Sequence, residues 1–281
     1  MDLLTEILAP ARPTAIVDVG ANPIDGDPPY KAMLAAGLCD VTGFEPQADA
    51  LARLEASKGP RERYLPYALG DGSARMLNVC ALEGMTSLLV PDPARLALFN
   101  LFPIWGEVKQ QIPVATRKLD DIAQIAHLDF LKMDAQGAER EVLAHGQNKL
   151  ADTVVIQTEV SFVPLYRDQP VFGEIDLALR ELGFLPHAVT GTKIWPIAPM
   201  VIGDQPNRGI HQLLETDMIY VKDFSHAENM SAEQWKHFAL VAHHCYGSYD
   251  LALKAIITLI EMGAVPEGAN KRYLASLRKP N

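Results

Sequence analysis

The chain has 281 residues, 48% of them hydrophobic and 21% charged, enough for one large α/β domain with a proper core, or one domain plus a smaller appendage. Its formal net charge is −10, from 25 basic and 35 acidic residues, which argues against nucleic acid or an anionic membrane as the main partner. Three widely separated cysteines without metal spacing, an acidic N-terminus with no basic-then-apolar leader, and no run near the ~20 apolar residues that span a bilayer predict a cytoplasmic protein with reduced thiols.

In chain order, residues 2–9 read as a short helix ended by Pro10 and Pro13, and 15–19 as a strand that carries Asp18 and runs into Gly20. A Pro-rich loop comes next, then a helix over 30–36 started by Pro28 and Pro29 and closed at Gly37. Residues 41–45 form the second strand, ending in Glu45, and 47–57 an amphipathic helix with Ala50, Leu51 and Leu54 at helical spacing. A third strand is expected over 63–69, with Pro66 tolerated at an edge, and extended segments over 75–79 and 85–90. Residues 91–112 have no clean period and read as a core-packed loop as readily as a lid or substrate-side insertion; Phe99, Phe102 and Trp105 there read as core aromatics ahead of a surface that stacks on a sugar. A short helix over 119–125 leads to a strand over 129–134, a helix over 137–144, a strand over 153–159 and a helix over 172–182. Strands over 184–189 and 217–221, separated by a loop over 190–207, close the alternation. The rest of the chain is helical: Ser231 and Gln234 form a capping box for 235–245, a second helix spans 251–262, and 267–277 adds a third.

Alternating short strands and helices predict a doubly wound α/β domain over 1–223, with a C-terminal helical appendage over 224–281 that docks on the sheet or dimerises through Ala255, Ile256 and Leu259. Strand, glycine turn, helix, strand, acid is how such a sheet holds a nucleoside at its carboxyl edge. Asp18, Glu45 and Asp71 close three successive strand-like segments, although any one alone reads equally well as a solvated strand-end acid. The dinucleotide fingerprint G-x-G-x-x-G fails here, with Asn22 and Asp25 at its second and third glycine positions, so pyrophosphate is not favoured. S-adenosylmethionine (SAM) has no pyrophosphate, and its ribose still calls for a carboxylate.

Six segments, Val17-Asp-Val-Gly-Ala-Asn22, Gly43-Phe-Glu-Pro46, Ala68-Leu-Gly-Asp71, Lys118-Leu-Asp-Asp121, Asp129-Phe-Leu-Lys-Met-Asp-Ala-Gln-Gly-Ala-Glu139 and Gln157-Thr-Glu159, together resemble the FkbM family of SAM-dependent methyltransferases. The match runs in order over roughly residues 15–190, and the stretch from Lys132 to Glu139 is its most specific part. The resemblance implies a class I methyltransferase-like (Rossmann-like), mostly parallel sheet and O-methylation of a hydroxyl on a sugar or polyketide. It places Asp18 and Gly20 at the amino-acid end of SAM, Glu45 at the ribose and Asp71 at the adenine, and Asn22 is expected to bind the cofactor as well. The chain departs from the family by the insertion at residues 23–29 after Asn22, which either stiffens the loop or walls the acceptor pocket, and by Gln136 where the family often carries an acid.

Methyl transfer also needs somewhere for the hydroxyl proton to go. Period-2 alternation sets Phe130, Lys132 and Asp134 on one side of their strand. Asp134 is therefore the expected general base or acceptor-orienting group, with Lys132 tuning its charge; a purely structural Lys132–Asp134 ion pair is the alternative. Glu159 ends its strand and is expected at the acceptor hydroxyl, with a solvated acid as the equal alternative. Glu139 is read as favouring the helix dipole as much as a ligand. Asp134, Glu159 and His187 offer metal-ligand atoms, but no spacing demands a metal and none is expected; His243 and His244 read as ordinary core or surface histidines. The function expected is SAM-dependent O-methyl transfer to a sugar or glycan-like acceptor. Its rivals are a nicotinamide-dependent oxidoreductase and a non-catalytic binding or assembly protein of the same fold.

Overall fold

The computed structural model describes residues 2–22 and 26–277. Its first half winds from α1 (Leu3–Leu8), capped by the Asp2 side chain, through β1 (Thr14–Val19), α2 (Lys31–Ala35), β2 (Cys39–Phe44), α3 (Ala48–Ser57) and β3 (Glu62–Leu65). After β3 come β4 (Ala68–Leu69), β5 (Ala74–Cys80), α4 (Pro93–Leu96), α5 (Phe102–Trp105) and β6 (Val108–Arg117). The second half runs β7 (Phe130–Met133), α6 (Glu139–Ala144), α7 (Gln147–Leu150), β8 (Val155–Ser161), α8 (Phe172–Glu181), β9 (Phe184–Trp195) and β10 (Gln212–Lys222). Three helices end the described residues: α9 (Ala232–Tyr246), α10 (Tyr249–Glu261) and α11 (Ala269–Leu277).

The main sheet has seven strands in the order β3-β2-β1-β7-β8-β10-β9. All pairings from β3 to β8 are parallel, while β10 runs antiparallel to both β8 and β9. This is the mostly parallel, doubly wound class I methyltransferase-like sheet that the resemblance implied. Strand order reverses at β1 and β7, and ligands of such sheets bind at that crevice, at the carboxyl ends of the strands. Because β10 is antiparallel, its first residues lie beside the end of β8, so Asp217 faces Glu159 across the ladder.

Pro66 splits the strand expected over 63–69: β3 stays in the main sheet, and β4 pairs with β6 in a separate three-stranded sheet, β4-β6-β5. Proline has no amide to continue a ladder. Residues 85–90 are not a strand; a single turn of 3-10 helix over Glu83–Met85 is followed by one bridge from Ser87 to Asn78. The loop expected from 190 onward is strand as far as Trp195.

The capping box forms as expected: Gln234 N donates to Ser231 Oγ, and Ser231 N donates to Gln234 Oε1 at 2.8 Å. From it α9 runs with its middle, Trp235 and His237 to Ala242, buried, Trp235 and Phe238 sharing one apolar cluster with Ile16 of β1, Phe130 of β7 and Met33 of α2. That cluster also takes in Ala255, Ile256 and Leu259, each fully buried. Those residues therefore face the chain's own core, which corrects the expectation that they form a dimer surface. Residues 224–277 form a helical layer over one face of the sheet, and a second cluster under α6 and α8 covers the other. No helix among the described residues is long and apolar enough to cross a membrane.

Candidate active site

A cavity of about 890 Å³ opens along the carboxyl edge of β1, β2, β7 and β8, within the usual size range of small-molecule sites, roughly 300–1,000 Å³. Sheet order divides it. The β2 and β3 side carries Glu45, Pro46, Tyr67 and Ala68; the β8, β10 and β9 side carries Glu159, Asp217, Glu215 and Lys193. Gly20 and Asp134, at the ends of β1 and β7, stand between the two.

Gly20 shows why the loop after β1 needs a glycine. Its φ is +75°, and a Cβ there would collide with the Asp134 carbonyl oxygen, so only a residue without a side chain lets the two strand ends pass this closely. Asp18 lines the cavity floor but gives both oxygens to the protein: Tyr30 donates to Oδ2 at 2.5 Å and Lys132 to Oδ1 at 3.0 Å. Burial pushes the Asp18 carboxyl above its ordinary value, with Lys132 and Tyr30 pulling the other way. Asn22 also lines the cavity, with its amide donating to Glu83 at 2.9 Å. Of the insertion at 23–29, residues 23–25 lie outside the described residues, and Asp27, Pro28 and Pro29 line the cavity.

Glu45 is 4% exposed at the end of β2. Its Oε1 accepts the Gln47 amide at 2.7 Å, and its Oε2 has no hydrogen-bond partner among the described residues. Burial raises its pKa, against the pull of the Gln47 amide. A buried carboxylate with one open oxygen, in a cavity wall, fits a ligand that offers hydroxyl donors. Asp71 sits elsewhere. It closes a turn, accepting from the Ser73 hydroxyl at 2.6 Å and the Ser73 amide at 2.8 Å, and these bonds bring its pKa down to about 2. It is not among the residues that line the cavity; from that stretch the wall is formed by Tyr67, Ala68 and Leu69.

Asp134 lines the cavity where its strand ends, and Gln136 Nε2 donates to its Oδ1 at 2.7 Å. The same nitrogen donates to Glu159 Oε2 at 3.2 Å. Lys132 reaches Asp18 instead of pairing with Asp134, so the structural ion pair weighed for Lys132 forms with a different acid. Burial, then Asp134 and Glu215, raises the Glu159 pKa well above the ordinary carboxylate value. Glu139 is 5% exposed, and its Oε1 accepts the amides of Ala135 and Gly137 at 2.9 and 3.2 Å. It thus fastens the loop that carries Gln136, and burial raises its pKa to about 7.

Period-2 spacing puts Glu215 and Asp217 on one face of β10, a signal available in the sequence and missed there. Lys193 Nζ lies 2.7 Å from Glu215 and 3.7 Å from Glu159. Gln157 donates to Asp217 at 3.2 Å and accepts from Tyr246 of α9 at 2.9 Å, so the helical layer contributes to this wall too. Phe99 is core, whereas Phe102 and Trp105 also line the cavity, with Trp195 packed edge-on against both. His187 is held by Ser248 at 2.8 Å and does not join Asp134 and Glu159. His243 and His244 bond to Tyr273 and Asp2 respectively. Among the described residues no group of three or more His, Cys, Asp or Glu side chains is placed to hold a metal ion.

The profile of the methyltransferase FkbM domain matches residues 18–186. The 2-O-methyltransferase NoeI of Sinorhizobium fredii (strain NBRC 101917 / NGR234) is 31% identical over 191 residues, covering 63% of this chain and 76% of that one. Among solved structures, the magnesium protoporphyrin IX methyltransferase of Synechocystis PCC 6803 with bound SAM aligns at 9% identity and a TM-score of 0.39, over 79% of this chain and 76% of that one. The precorrin-6y C5,15-methyltransferase of Geobacter metallireducens GS-15 aligns at 12% identity and a TM-score of 0.35, over 78% and 86% respectively. Both structural likenesses are remote.

Proposed function

The chain belongs to the FkbM-domain methyltransferases, and on that premise we propose that it transfers a methyl group from SAM to a hydroxyl of a sugar or glycan-like acceptor. Glu45, with its open oxygen, would hold the ribose hydroxyls, and the Gly20 turn would admit the amino-acid end beside Asn22. Tyr67 and Ala68, in place of Asp71, would line the adenine. SAM supplies the methyl as an electrophilic carbon on a sulfonium, whose C–S bond breaks as the O–C bond forms.

On the other side of the cavity, Asp134 takes the hydroxyl proton as the new bond forms, and Glu159 orients the acceptor by accepting from a neighbouring donor. Lys132 fixes the β1 and β7 ends through Asp18 and so acts on position, not on the proton. One observation carries the sugar reading: Trp105 and Trp195 share a cavity with Asp134, Glu159, Glu215 and Asp217. Aromatic faces beside hydrogen-bond acceptors suit a ring with one apolar face and many hydroxyls. The 2-O-methyltransferase relative supports an oxygen acceptor. Three free thiols, Cys39, Cys80 and Cys245, support a cytoplasmic setting.

A pool of neutral glycosides incubated with methyl-labelled SAM tests the proposal. Label in an O-methyl glycoside is the expected product. Label transferred to nitrogen- or carbon-methylated acceptors instead would contradict the sugar-hydroxyl reading. Micromolar NAD binding without S-adenosylhomocysteine binding in calorimetry would point to the oxidoreductase rival.

A further inference from the structure

Resting on the reading of Asp134 as proton acceptor, we propose that Gln136 is a positioning residue whose carboxamide ties Asp134 and Glu159 into one two-carboxylate unit facing the acceptor. Its Nε2 donates to Asp134 Oδ1 at 2.7 Å and to Glu159 Oε2 at 3.2 Å. Its Oε1 accepts from the Tyr166 hydroxyl at 3.2 Å, and its main-chain carbonyl accepts from Ser87 Oγ at 2.6 Å. The backbone between these anchors lies at φ +49°, the left-handed region that a residue with a side chain occupies only when its surroundings fix it there. Carboxylates only accept and a phenol donates, so the chemistry of the neighbours sets which end of the amide faces which.

An amide is suited to this place for an electrostatic reason. Two hydrogens on one neutral nitrogen stabilise the ionised form of both acids without changing the charge of the site. A lysine would neutralise one acid, and a glutamate would add a third like charge beside them. The pair is otherwise faced by Asp18 of β1, Lys132 of β7, Glu139 of α6, Tyr166 after β8, Lys193 of β9, and Glu215 and Asp217 of β10. The acids among these push protons onto the pair, while Lys132 and Lys193 push them off. Gln136 works with the two lysines against burial and the neighbouring acids, which raise Glu159.

The test reads the carboxyls directly and needs no acceptor. Carbon-13 carboxyl NMR spectra are followed against pH in protein saturated with S-adenosylhomocysteine, with Asp134→Asn and Glu159→Gln identifying the two resonances. Gln136→Glu is expected to raise the upper midpoint of the pair by about one pH unit or more. Gln136→Ala is expected to raise it by a smaller amount, and affinity for S-adenosylhomocysteine is expected to stay within about twofold in both. Unmoved midpoints in folded Gln136→Glu would overturn the proposal; if that variant does not fold, unmoved midpoints in Gln136→Ala would do so. Shifted midpoints sustain it even if Asp134→Asn keeps its turnover, a result that overturns only the choice of Asp134 as base.

Discussion

Lys132 donates at 3.0 Å to Asp18, its register partner on the neighbouring parallel strand, and not to Asp134 two residues further along its own. The Asp18 side chain is 2% exposed and that of Lys132 18%, so the pair lies inside the protein and fastens together the two strand ends from which the cavity loops spring. Removing one partner of a buried pair leaves an uncompensated charge, which costs about 3–5 kcal/mol. Lys132→Met is expected to lose that much stability in urea denaturation. Asp18→Asn in the same chain is expected to recover most of it, since an amide still accepts from Tyr30.

Glu45 tests the donor side alone. Its open oxygen is expected to receive ribose hydroxyls, and a hydrogen bond to a charged group contributes about 1.5–3 kcal/mol. Glu45→Ala should therefore weaken S-adenosylhomocysteine binding by roughly 10- to 100-fold in calorimetry. Undiminished binding would remove Glu45 from the donor site.

Glu139 gives a pH dependence with a definite sign. Its folded pKa is raised to about 7 from an ordinary 4.5, burial being the main cause. The protonated side chain therefore stabilises the fold below about pH 4.5, and that contribution is lost as pH rises through 7. In Glu139→Gln the amide oxygen can still accept from Ala135 and Gly137, but nothing titrates. Relative to the wild type, the variant is expected to gain stability steadily from pH 5 to pH 8, by up to about 3 kcal/mol at ~1.4 kcal/mol per pKa unit. Urea midpoints at the two pH values measure this.

The proposed acceptor side sets a charge preference. Asp134, Glu159, Glu215 and Asp217 line it with Lys132 and Lys193, and Lys132 is engaged with Asp18. An anionic group about 5 Å from one excess negative charge meets a repulsion of about 3 kcal/mol at an effective dielectric constant near 20. A glycoside bearing a carboxylate or phosphate is thus expected to show a kcat/KM about 100-fold below that of its neutral counterpart. Equal values for the two would contradict this assignment of the acceptor wall.

Local patterns in the sequence were enough to place several residues of the cavity wall. Asp18-Val-Gly20 and Glu45 lie at strand ends that periodicity marks, and Ser231 with Gln234 caps its helix as written. Asp71 misled because an acid after an apolar run looks the same whether it faces a ligand or closes a turn; Ser73 and Thr116 decide the matter, and Thr116 is 45 residues away in sequence. The proposed acceptor side was harder to read. Gln136, Glu215, and Lys193 with Trp195 come from three places in the chain, and only strand order and the antiparallel β10 bring them together. Ala255, Ile256 and Leu259 form an apolar stripe that looks the same whether it meets another chain or this chain's own sheet.

The central claim, that one cavity holds the methyl donor on one side and takes the hydroxyl proton at Asp134 on the other, is tested most directly by Asp134→Asn. Labelled methyl transfer to a glycoside acceptor and calorimetric binding of S-adenosylhomocysteine are measured on the same preparation. The account predicts binding within about twofold of the wild type and a kcat lower by about 10²- to 10⁴-fold, the usual contribution of general-base catalysis. Wild-type turnover in the variant, or loss of turnover and binding together, would contradict it.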